Sequence, residues 1–317
     1  MPDSDRLVHI VDDVPELAGT SELAMVLVLD GFLDAGSSAA IAGRHLVVES
    51  GGGRVVATFE VDEFHDYRAR RPPMSFVRDH YEQYDAPRLV VRLLADHAGT
   101  PYLLMHGPEP DNKWEAFAGA VRHVVEQLGV GRVIGLGAVP MAVPHTRPIT
   151  LTAHANNKEL IAGHTPWVGE VQVPGSVSNL LEYRMAQHGH DVVGFTVHVP
   201  HYLAQTDYPA AAEALLSHVA KSGSLQLPLA ALSEAAAEVH AKVEEQVGSS
   251  SEVAQVVEAL ERQYDAFIAA QENQSLLARD EDLPSGDELG AEFERFLAQQ
   301  ARENKRKEGF QDGDASD

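Results

Sequence analysis

Two short turns hold the residues best suited to chemistry. The first is HGPEPDNKW, residues 106–114, with His106, Glu109 and Asp111 separated by Gly107, Pro108 and Pro110. A carboxylate pair beside an imidazole suits general acid–base work. The same acids could instead cap the helix that follows and complement its positive end. The second turn is AVPHTRP, residues 142–148, which sets His145, Thr146 and Arg147 between Pro144 and Pro148. A rigid turn carrying a His and an Arg could bind an anion, or the Arg could pair locally.

Two further stretches add charge and free amides. DYRARRPP places Arg68, Arg70 and Arg71 within four positions of a chain with 48 acidic and 24 basic residues. Guanidinium groups clamp carboxylates and phosphates bidentately. They could equally pair with this protein's own acids or with a neighbouring subunit. GFLDAGSSAA, residues 31–40, joins a strand-like run to a helix-like run. Its helix start could hold an anion, or Asp34 and Ser37 could simply cap it.

Familiar catalytic signatures are absent. There is no phosphate-binding G-x-x-x-x-G-K-[ST], no G-x-S-x-G elbow and no H-E-x-x-H. The glycines of GVGRVIGLG enter a strand instead of following one, so they fit a dinucleotide fingerprint poorly. His198 and His201 end a strand, where alternation sends them to opposite faces, and no metal site is expected. Cysteine is absent, which removes thiolate catalysis and disulfides. Neither a catalytic residue nor a cofactor is assigned.

The elements that must position these turns are legible as patterns. Ala24–Asp30, Arg54–Glu60, Val133–Leu136, Ile149–Ala153 and Val192–Val199 read as strands. Leu89–Leu94 and Tyr102–His106 read as a pair around DHAGTP. Lys113–Leu128 has apolar residues at helical spacing, with Asp111 or Asn112 as cap and Gly129 as its end. A small-residue run after Ser38, then Ser176–His188 and Pro209–Lys221, complete the helices. Strands alternating with helices predict a layered α/β domain. In such a sheet, ligands sit beyond the carboxyl ends of the strands, where both turns fall.

From about Leu225 the pattern changes. Leu232 to Val247 and Val253 to Phe267 carry near-heptad seams around VGSSSE, where Ser249 and Glu252 match a capping box. These predict an antiparallel helical hairpin. A polar acidic segment, 270–288, and an amphipathic stretch with Leu289, Phe293, Phe296 and Leu297 follow. Residues 301–317 read as a disordered acidic tail. The expected division is an α/β domain over 1–225, a helical extension over 226–300 and that tail.

The chain has 317 residues, 44% of them hydrophobic, enough for a large core with an appendage. Its 48 acidic against 24 basic residues give a net charge of −24, which repels phosphate backbones and argues against nucleic-acid binding. No signal peptide or membrane-length apolar run is visible, so a cytoplasmic protein is expected.

Taken together, GFLDAG, DYRARRP, GPEPDNKWEAFA, GAVPMAVPHTRP, PGSVSNLLEYRMAQHG and VHVPHYLAQTDYPAAAEALL resemble the PAC2 family, the proteasome-assembly-chaperone-2-like proteins. The resemblance spans roughly residues 10–225 and looks most like the bacterial branch, which carries a helical C-terminal extension. It implies a three-layer α/β/α core similar to purine nucleoside phosphorylases and related hydrolases. It also implies self-assembly, with a trimer favoured. Eukaryotic relatives help assemble proteasome α rings, and some members dock through a C-terminal hydrophobic–Tyr–X tail. This sequence ends Asp314-Ala315-Ser316-Asp317, so docking by that route is not expected. The expected function is a non-enzymatic assembly-chaperone or protein-interaction protein, with a proteasome-related partner as one expectation. The alternative is a hydrolase- or phosphorylase-like enzyme or small-ligand sensor. There Arg68, Arg70 and Arg147 would hold an anionic or nucleoside-like ligand, and Glu109, Asp111 and His145 would serve as acid–base groups.

Overall fold

The computed structural model describes residues 4–20, 22–165 and 169–272. In chain order it contains α1 (Ser4–Leu7), β1 (Val8–Ile10), β2 (Leu23–Asp30), α2 (Ser38–Glu49), β3 (Arg54–Phe59), β4 (Met74–Val77), β5 (His80–Tyr84), β6 (Val90–Ala95) and β7 (Pro101–Pro108). Then come α3 (Trp114–Leu128), β8 (Val130–Met141), β9 (Leu151–Ala155), α4 (Val177–Gln187), β10 (Asp191–Pro200), α5 (Pro209–Gly223), α6 (Ala230–Ser249) and α7 (Ser251–Glu272).

The main sheet has eight strands in the order β1-β3-β6-β7-β2-β8-β10-β9. β7, β2, β8 and β10 are mutually parallel. The flanking strands run antiparallel. β2 is buried almost to its end, and its alternation builds two cores at once. Ala24, Val26 and Val28 face α2 and α5, meeting Ala42, Leu46, Ala212 and Leu215. Leu23, Met25 and Leu27 face α3 and α4, meeting Phe117, Val121, Leu181 and Met185. Each buried Val, Leu, Met or Phe among them contributes roughly 1.5–3 kcal/mol by leaving water. The three-layer α/β/α expectation is met.

The extension adds to the first of these cores. Leu232 and Val243 of α6 are buried in the α2–α5 layer. The chain divides into two compact units, Met1–Asp265 and Ala266–Asp317. Of the second, the described part is the final stretch of α7. The predicted segments beyond residue 272, including the amphipathic stretch and the tail, lie outside the described residues. Among the described residues, no helix is long and apolar enough to cross a membrane.

Three local expectations are corrected. β8 runs well past Leu136 to Met141, because parallel β10 continues beside it as far as Pro200. Lys113, in the left-handed region at φ 57°, occupies the cap position of α3 in place of Asp111 or Asn112 and makes no side-chain cap bond. The α6–α7 junction is capped by Ser250, whose Oγ accepts from the Val253 amide at 3.4 Å, not by a Ser249–Glu252 box. α1, β1 and the β4–β5 hairpin have no counterpart in the sequence reading.

Candidate functional site

The parallel strands deliver their carboxyl ends to one edge of the sheet. β7 leads to Glu109, β2 to Asp30 and Asp34, β8 to His145, and β10 to His201 and Tyr202. The turns after β2 and β7 depend on glycine at two points. Gly36 sits at φ 67°, and a Cβ there would lie 2.7 Å from the Tyr208 Cβ. Gly107 sits at φ 138°, where a Cβ would run into the Arg88 carbonyl.

The first turn is locked from within the α/β core. Glu109 Oε2 accepts from the Phe32 amide at 3.1 Å, and Oε1 accepts from the Val177 amide at 2.6 Å. One carboxylate thus ties the β2 loop to the first residue of α4, which suits the positive helix end. Asp111 accepts from the Asp66 amide at 2.7 Å and pairs with Arg70 at 2.7 Å. Arg70 also donates to the Glu109 carbonyl. Burial pushes the Asp111 carboxyl up, but the Arg70 guanidinium and the Asp66 amide more than offset it, and the group lies below its ordinary 3.8.

The other candidates near this turn separate. Arg68 and Arg71 are exposed, and among the described residues their side chains enter no ion pair. Asp34 accepts from the Ala39 and Ala40 amides at 2.8 and 3.0 Å, so it caps α2. Burial nevertheless holds its carboxyl above the usual range, against those two amides. His106 lies within β7, away from the strand end, and its Nε2 accepts from Arg92 Nε at 2.9 Å. Burial and the Arg92 charge keep it below the ordinary histidine value. Asp30 is the exception. Its carboxylate has no hydrogen bond among the described residues, and its pKa is raised by desolvation and by Asp34.

The second turn is held from outside the α/β core. The His145 side chain is 1% exposed. Its amide donates to the Tyr202 hydroxyl oxygen at 2.8 Å, and its Nδ1 lies 2.7 Å from the same oxygen. Its Nε2 lies 2.9 Å from Glu244 Oε1 of α6. Glu244 can only accept, so Nε2 carries the ring proton and the tyrosine hydroxyl donates to Nδ1. Burial pushes the Tyr202 phenol up to about 12 and keeps His145 low despite Glu244. Thr146 donates to Glu261 at 2.5 Å. Arg147 forks onto both oxygens of Asp265 at 2.8 Å and reaches Glu261 at 3.2 Å. Tyr264 donates to the Pro148 carbonyl at 2.9 Å. Glu244 and Glu261 grip adjacent residues of one turn, so the chain doubles back at Ser250.

These partners were missed in the sequence. Tyr202, Glu244, Glu261, Tyr264 and Asp265 lie between 57 and 118 positions from the residues they hold. A faint signal existed, since His240 and Glu244 stand one helical turn apart on one face of α6. Among the described residues, donor atoms of His145, His240 and Glu244 lie within 4.8 Å of one another. Concavities of about 730 and 870 Å³ occur elsewhere, around Val8 and His123 and around Tyr67 and Arg92. None of the candidate site residues from the sequence lines either.

A family model for the PAC2 family matches residues 28–247. A Mycobacterium tuberculosis protein of unknown function, Rv2714, is similar at 60% identity and TM-score 0.80, over 84% of this chain and 91% of that one. A Corynebacterium glutamicum protein of unknown function is 39% identical, with TM-score 0.79 over 83% and 98% of the two chains. The Mycobacterium tuberculosis proteasome-assembly chaperone homologue Rv2125 is 25% identical, with TM-score 0.68 over 74% and 100%. No curated protein matches. The α/β/α core, its strand-end turns and the family model agree: the chain belongs to the PAC2 family.

Proposed function

We propose that this chain is a non-enzymatic protein-interaction protein of the assembly-chaperone type. It acts in the cytoplasm as a homo-oligomer, a trimer being favoured, with residues 226–300 as a contact arm. The observation that carries this reading is closure. Glu109, Asp111, Arg70, His145, Thr146 and Arg147 are engaged by one another, by backbone amides and by α6 and α7. A ligand pocket would instead present convergent polar groups to solvent. Rv2125, a relative at 25% identity, is a proteasome-assembly chaperone homologue, which supports a proteasome-related partner.

The β4–β5 hairpin supports self-association. Both strands are exposed throughout, with Phe76 58% and Tyr81 66% accessible beside Met74, Val77 and Tyr84. A two-stranded hairpin is marginal alone in water, and a second copy of this chain would cover its aromatics. Light scattering on full-length protein tests this. The reading expects an oligomer that falls to the protomer mass in the Phe76→Asp, Tyr81→Asp double variant. A monomeric parent, or an unchanged mass in the variant, overturns it. For the partner, purified proteasome α subunits are expected to assemble faster when the protein is added; an unchanged rate removes the proteasome from the proposal.

One observation favours the second reading, a small-ligand sensor or hydrolase-like enzyme: Asp30 at the strand edge, unbonded and with raised pKa. A thermal-shift screen with nucleosides, phosphates and sugars decides between them. A saturable shift that Asp30→Asn abolishes would overturn the non-enzymatic reading.

A further inference from the structure

The structure assigns a divalent-metal site to His145, His240 and Glu244, suited to zinc. The donor set is two imidazoles and a carboxylate, with atoms all within 4.8 Å of one another. Two-nitrogen, one-carboxylate sets with a fourth position left for water are ordinary for zinc. Without cysteine, the chain offers no thiolate ligand. Tetrahedral closure needs these atoms to draw in, and His240 and Glu244 are exposed side chains free to do so.

Three features make this more than a surface coincidence. His240 and Glu244 stand at i and i+4 on α6, so one helix face presents both. His145 comes from a different element, and its ring is 1% exposed, so it cannot swing to another partner. The Tyr202 hydroxyl holds Nδ1 at 2.7 Å and is itself fixed by the His145 amide at 2.8 Å. That second partner turns Nε2 toward α6, and with an ion bound its oxygen would accept from Nδ1–H, the role outer-shell groups play for metal-bound histidines. Coordination requires the other tautomer: the ring proton leaves Nε2 and one is taken up at Nδ1, the Tyr202 hydroxyl rotating to accept it, and the bond between His145 and Glu244 is replaced by a bond from each residue to the ion. Glu261, bonded to Thr146 next door, adds negative charge. The ion would rivet α6 to the turn after β8 and add stability by mass action.

The test uses full-length protein stripped with chelator and then titrated with Zn²⁺ by calorimetry, with Co²⁺ absorbance to report the coordination geometry. With 16 histidines in the chain, binding alone does not suffice. The site predicts that His240→Ala and Glu244→Gln each remove one Zn²⁺ equivalent or weaken it at least ~10–100-fold. Glu245→Gln, next along the same helix, leaves binding intact. Zn²⁺ should raise the melting temperature of the parent and of Glu245→Gln but not of the other two. Both key substitutions are on exposed α6 positions, so folding is preserved and circular dichroism verifies it. A parent that binds no Zn²⁺, or variants that bind with parental stoichiometry and affinity, would overturn the assignment.

Discussion

The two strand-end turns are alike in composition and opposite in how they are held. The turn at 106–113 is fastened from within the α/β core. Glu109 bridges the β2 loop and α4, and Asp111 is paired with Arg70 and the Asp66 amide. The turn at 144–148 is fastened by the extension, through Glu244, Glu261, Tyr264 and Asp265. The first set of bonds stabilises the α/β fold. The second decides whether α6 and α7 stay closed over the sheet edge. Residues that look equally catalytic in a sequence can therefore serve a core and a latch.

The largest effect that tests this contrast belongs to Glu109→Ala. It strips acceptors from two amides, one at a helix start, and should cost about 2–4 kcal/mol in denaturant unfolding. Glu109→Gln should recover part of that. A loss within roughly 0.5 kcal/mol, as at an ordinary surface site, would place the first turn on the same footing as the second.

Acid should act next, and on the first turn. Asp111 is held below its unfolded value near 3.8. Its contribution is therefore complete above that value and is lost as pH falls through the lower, folded value. In Asp111→Asn, the acid limb of the stability–pH curve should be shallower. An unchanged limb would mean the Arg70 pair does not tie the turn.

Arg147→Ala should act locally. Its fork to Asp265 is partly exposed, so global unfolding should barely move, while amides of α7 exchange faster with solvent. Equal acceleration at β8 amides would show that latch and core unfold as one unit. The smallest effect is that of salt. Raising ionic strength should speed α7 exchange slightly and leave the Glu109 bridge untouched, because screening weakens exposed pairs most.

Much of the frame was legible because it rests on local periodicity. The apolar run before Asp30 has the pattern of a strand buried on both faces, and Gly129 at φ 69° is the helix terminator its type suggests. The β4–β5 hairpin was not legible. Its turn uses Arg78 at φ 58° instead of glycine, and its strands bury nothing within the protomer, so neither turn residue nor burial pattern announced it. Capping was only half legible. Asp34 caps α2 from outside the usual position, while Asp111 turns away from α3 to Arg70, a stronger charged partner.

From the sequence by itself come the family blocks, the layered α/β class, the edge of the sheet where Glu109 and His145 lie, and two helices after residue 225. Each follows from short-range rules: alternation in strands, helical spacing, and the residues that turns require. What those polar residues touch was decided by tertiary structure alone. His145 meets Glu244 across 99 positions, and Arg147 meets Asp265 across 118. No local pattern carries such pairings, because they depend on where α6 and α7 fold back against the sheet. That packing turned an apparent acid–base turn into a closed latch, and brought His240 beside His145 as a metal-ligand set.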